Sequence, residues 1–117
     1  MIKARFCFDE KQRVNDFHLT GHADFSTIGK DIYCSAISAI AQTVIGTLTE
    51  FLKPGKEFIY TLNSGEIECQ ILNYHELSKE KQIRAESLML SAYIGLKQIE
   101  MIEGQKYLSV LKEEEYS

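Results

Sequence analysis

The sequence predicts an α+β fold in which two helices pack on a mainly antiparallel sheet, in the order β-β-α-β-β-α-β. Three observations carry that prediction: two paired segments with period-two apolar alternation, two long stretches of helical periodicity, and turn residues wherever the pattern changes. The 117 residues, 44% hydrophobic and 26% charged, suit one globular domain spanning 1–117. Seven glycines and one proline are scattered, and no run has a linker composition.

Residues 2–8 alternate, with Ile2, Ala4, Phe6 and Phe8 on one side. Residues 14–20 repeat the pattern after the polar turn 9–13, which reads as a hairpin. Residues 21–30 lose all periodicity and read as a surface loop bracketed by Gly21 and Gly29. From Asp31 the apolar positions Ile32, Ile37, Ile40, Ala41, Val44, Ile45, Leu48 and Leu52 follow a helix, until Pro54 and Gly55 stop it. Ala39 and Gly46 extend that apolar character around the helix, so it is expected to be buried along most of its length. Residues 56–62 and 66–72, joined by Asn63-Ser64-Gly65, form a second hairpin. A second helix over 78–101 carries Ala85, Leu88, Met89, Ala92, Leu96 and Ile99 on one face. Residues 106–111 form a last strand, and Glu113-Glu114-Glu115 reads as a frayed, solvated end.

The formal net charge of -4 gives no broad attraction to nucleic acid. Charges interrupt the apolar residues of 1–6, so the expectation is a cytoplasmic protein with neither a signal peptide nor a membrane span. Three cysteines in a reducing compartment argue against a disulfide framework. The three histidines lack metal-ligand spacing, so neither a metal nor a cofactor is expected.

Chemistry concentrates in residues 21–38, where an imidazole follows a strand and a thiol enters a helix. With Asp31 as N-cap, Cys34 is the third helical residue, where free backbone N–H groups and the helix dipole favour a thiolate. Those N–H groups are also the natural oxyanion donors. The dipole supplies only roughly 0.3–1 kcal/mol, less than about one pKa unit, and a free thiol near pKa 8.5 is barely ionised at pH 7. A second positive group is needed. His22 supplies it, and can return the proton to the leaving amine. Asp31 has two available jobs, capping the helix or orienting His22 as a triad member. Ser38, one turn beyond Cys34, hydrogen-bonds near the thiol, lines a substrate groove or, as a small residue, lets helices pack closely. Ser26, Thr27 and Ser35 lack a well-placed base. Cys7 and Cys69 lie in strands and read as core residues, and His18 and His75 read as structural.

Gly21-His22-Ala23, and after the loop Gly29-Lys30-Asp31-Ile32-Tyr33-Cys34-Ser35-Ala36-Ile37-Ser38, resemble the ribosomal-processing cysteine protease Prp family. The resemblance implies an endopeptidase that removes an N-terminal extension from a large-subunit ribosomal protein, with Cys34 and His22 as the catalytic pair. It implies a homodimer, with a substrate loop matching Ala23 to Lys30. Tyr33 and Ser35 depart from the smaller aliphatic residue and the alanine that the family often carries. A non-catalytic ribosome-assembly or ribosome-binding protein, in which Cys34 only packs, is the competing reading. Thiol redox chemistry lacks a nearby resolving cysteine.

Overall fold

The computed structural model describes residues 1–21, 28–102 and 107–115, and for 28–31 the backbone alone. Its elements follow the expected order: β1 (Ile2–Phe8), β2 (Val14–Thr20), α1 (Ile28–Phe51), β3 (Phe58–Asn63), β4 (Glu66–Ile71), α2 (Lys79–Ile102) and β5 (Leu108–Glu114). A 3-10 turn at Tyr74–Glu76 precedes α2, started by the Asn73 side chain accepting from the His75 N–H.

The strands form one sheet in the order β3-β4-β2-β1-β5. Every neighbouring pair is antiparallel except β1 with β5, because the chain crosses over through α2 before it returns. Alternation buries Ile2, Ala4, Phe6 and Phe8 of β1 in one core with both helices, and turns Lys3, Arg5 and Cys7 the other way. A bulge between Cys7 and Phe8 lets Val14 and Phe17, three residues apart, both face the core. Phe6 meets Phe17 at 5.5 Å and Tyr93 edge-on at 5.2 Å, tying β1, β2 and α2 together.

At the far end, the 9–13 turn is held by a buried ion pair. Arg13 Nε lies 2.8 Å from Asp9 Oδ2, and the guanidinium sits over the Tyr74 ring at 4.3 Å. The Tyr74 hydroxyl donates to the Val14 carbonyl at 2.7 Å.

Three expectations are corrected. The helix expected from Asp31 begins at Ile28, so Asp31 lies inside it and is not its N-cap. An aspartate suits the first turn of a helix as well as its N-cap, so its residue type alone does not fix the start. Second, α1 is half-exposed rather than buried along most of its length. Ile37, Ala41, Val44, Ile45 and Leu48 pack inward, whereas Ile32, Ser35, Ala39, Gln42, Thr43, Gly46 and Glu50 face out. Ala and Gly raise the apolar count without making a face that must be covered. The segment Ile32–Phe51 has the length and mean hydropathy, 1.4, of a membrane-crossing helix, yet its large apolar residues are mostly spent on the core. Third, the glutamate run is not a frayed end. Glu113 and Glu114 continue β5 beside Cys7 and Phe8, and the Glu115 N–H donates to the Phe8 carbonyl.

Candidate active site

A groove of about 470 Å³ runs between the N-terminal half of α1 and the β3–β4 hairpin. One wall is a single line on α1, formed by Cys34, Ser38 and Gln42 at spacings of four, which brings residues onto one helix face. The opposite wall is Leu62 and the turn Asn63-Ser64-Gly65. The floor is apolar, from Ile2, Leu19, Ile37 and Ile67.

Cys34 is half-buried and packs against the core while remaining open to the groove. As the seventh residue of α1, its N–H belongs to the helix's own ladder, and it lies beyond the first turn, where the dipole acts. The expected oxyanion donors around Cys34 are therefore spent. Ser38 and Gln42 offer side-chain donors in their place, since neither has a partner among the described residues. Gln42 escaped the sequence reading, although the i, i+4, i+8 spacing from Cys34 would have found it.

Gly21 directly follows β2 and lines the same groove. Its N–H donates to the Gly65 carbonyl at 3.1 Å, stapling the strand end to the hairpin turn. Its φ of 114° and the closeness of the Met1 carbonyl to any added Cβ make glycine a steric requirement here. Gly65, with φ 83°, makes the tight turn without strain. Tyr33 stacks on Tyr107 at 4.9 Å, anchoring the start of α1 to the approach of β5. His22 and Ala23 lie outside the described residues, as do the side chain of Asp31 and the surroundings of Gly29, whose backbone is helical.

The other described thiols and imidazoles are elsewhere, and of the two cysteines expected in the core only Cys69 is there. Cys69 is fully buried beside Met89, and burial pushes its thiol up to about 12. Cys7 lies on the sheet face away from the helices, its thiol raised by burial and then by the nearby carboxylates Glu115, Asp16 and Glu113. His18 shares that face and meets Glu66 at 2.8 Å. Among the described residues no group of three His, Cys, Asp or Glu is placed to hold a metal.

The family model described as Cysteine protease Prp matches residues 1–108. The chain resembles SMU.848 from Streptococcus mutans at a TM-score of 0.75 and 16% identity, covering 98% of this chain and 96% of that one. It also resembles the essential ribosomal processing protease Prp from S. aureus, solved in complex with a substrate peptide, at 0.76 and 16%. The same protease, solved with a covalently linked product peptide, gives 0.76 and 19%. Each of these two covers 97% of this chain and 100% of its own. At these identities the structural likeness establishes the fold. No curated protein matches the chain.

Proposed function

Because the chain belongs to the cysteine protease Prp family, it is a peptide hydrolase, and we propose that it cleaves the N-terminal extension from a large-subunit ribosomal protein through Cys34 and His22. The observation that carries the pairing is that Gly21, the chain neighbour of His22, lines the same groove as Cys34. A neighbouring Cα is only about 3.8 Å further along the chain. His22 takes the Cys34 proton, and the thiolate adds to the scissile carbonyl. The amine leaves with the proton from His22, and water releases the peptide from the thioester. Ser38 and Gln42 donate to the developing oxyanion, the part first expected of backbone N–H groups. Asp31 is not the N-cap of α1, so the triad role is the one of its two candidate jobs that remains.

The ribosomal substrate is supported by the family and by the described activity of the S. aureus relative. The net charge of -4 favours a basic substrate. A protease of ribosome maturation works in the cytoplasm, where ribosomes assemble. We also propose that it acts as a homodimer. Ile83, Leu90, Ile94 and Met101, at spacings of seven, four and seven along α2, face solvent at 44–66% exposure. A stripe of that period is self-complementary when it meets its own copy across a two-fold axis.

The test is cleavage of a peptide spanning the extension and the first mature residues. Cys34→Ala and His22→Ala should each lower kcat by at least about 10³-fold with folding intact. Retained cleavage by Cys34→Ala would sink the Cys34 mechanism, and a wild-type chain that binds the extension without cutting it would leave the ribosome-binding alternative.

A further inference from the structure

Strand β3 is an edge of the sheet and carries in its own sequence and pairing none of the devices that usually blunt an edge. Phe58–Asn63 contains no charge, no proline and no bulge, whereas the opposite edge, β5, carries Lys112, Glu113 and Glu114.

The direction of its backbone groups follows from two bonds. The Phe58 carbonyl accepts from the Gly55 N–H, on the side away from β4, while the Glu57 carbonyl accepts from Leu72, on the β4 side. Antiparallel pairing alternates these directions residue by residue, so Tyr60 and Leu62 turn their N–H and C=O groups outward. No strand among the described residues pairs with them. Their side chains share the helix-facing side, 42% and 44% exposed, and Leu62 is also a wall of the Cys34 groove. The open edge and the groove are therefore continuous.

We infer that the substrate peptide adds as a sixth strand to β3, hydrogen-bonding to the backbone of Tyr60 and Leu62 while the bond to be cut lies at Cys34. This rests on the proposed protease function and specifies how it holds its substrate. Main-chain pairing requires an extended peptide and supplies affinity without reading side chains. Selectivity then comes from alternate residues: one set meets Leu62 and the apolar groove floor, and the other lies beside Ile59 and Thr61 on the far face. The substrate class is an extended segment, uncharged over several residues beside the scissile bond.

Amide hydrogen exchange by NMR on the Cys34→Ala protein, with the uncut extension peptide as probe, tests the inference. Tyr60 and Leu62 amides should slow at least about tenfold on peptide addition, while Ile59 and Thr61, already bonded to β4, change little. In a second measurement on the active enzyme, Tyr60→Pro removes one outward N–H, at a position type where a strand edge tolerates proline. It should raise KM about tenfold with kcat nearly kept.

Peptide that is cut at full rate by wild type while both edge amides stay fast overturns the strand addition alone. Edge protection without any cleavage by wild type overturns the catalytic reading and leaves the pairing standing. A peptide that neither binds nor is cut overturns both.

Discussion

Cys34 lies beyond the first turn of α1, so the helix dipole lends it less than its expected position would have, and the requirement for a cationic partner becomes stricter. Its fellow thiols are held back by their surroundings: Cys69 is sealed in the core, and burial and then the nearby carboxylates raise the Cys7 thiol. At pH 6.5 iodoacetamide should therefore alkylate Cys34 at least about ten times faster than Cys7 or Cys69, read by peptide mass mapping. Equal slow rates would remove Cys34 as a nucleophile. On the opposite face of the sheet, burial and then the Glu68 carboxylate raise Asp16 to about 6, and its Oδ1 is buried without a partner among the described residues. A folded carboxyl pKa above its unfolded value disfavours the charged form, so this group weakens the fold as pH rises from about 4 through about 6. Asp16→Asn should be nearly neutral in stability at pH 4 and about 1 kcal/mol stabilising at pH 7.5, seen by denaturant unfolding at both pH values.

At the scale of elements, α1 positions the chemistry, and its long register lets Cys34, Ser38 and Gln42 share one line. The Tyr33–Tyr107 stack holds the catalytic end of that helix, where Tyr33 had first stood out only as a departure from the family pattern. Tyr107→Ala should cost about 1 kcal/mol in global stability, speed amide exchange at residues 33–36 and lower kcat/KM. Unchanged exchange would show that the stack does not anchor the helix. Strand β5 illustrates why boundaries are hard to read locally. A run of glutamates looks solvated, yet its backbone pairs with Cys7 and Phe8 while Glu113 approaches Arg5 at 3.6 Å and Lys112 lies over the Phe8 ring. The pairing partner lies over 100 residues away and leaves no trace in the local pattern.

Across the whole molecule, the helices cover one face of the sheet and leave the α2 stripe of Ile83, Leu90, Ile94 and Met101 unpacked by the chain itself. Leu90→Glu should turn a dimer into a monomer in light scattering without lowering the melting temperature of the monomer fold. A wild-type chain that is monomeric at tens of micromolar would overturn the homodimer. By itself the amino-acid sequence determined the element order, both hairpins, the inward face of β1, and the thiol and glycine around which a site forms. Those are local matters of period, turn chemistry and residue type. The tertiary structure decided that β5 runs parallel to β1, that α1 starts early and keeps an open flank, and that Cys34 lies across a groove from Leu62. Such facts depend on which segments meet after the chain folds back, and no short window contains both partners. For Cys34 that meeting moved its chemistry from a helix end to a groove wall.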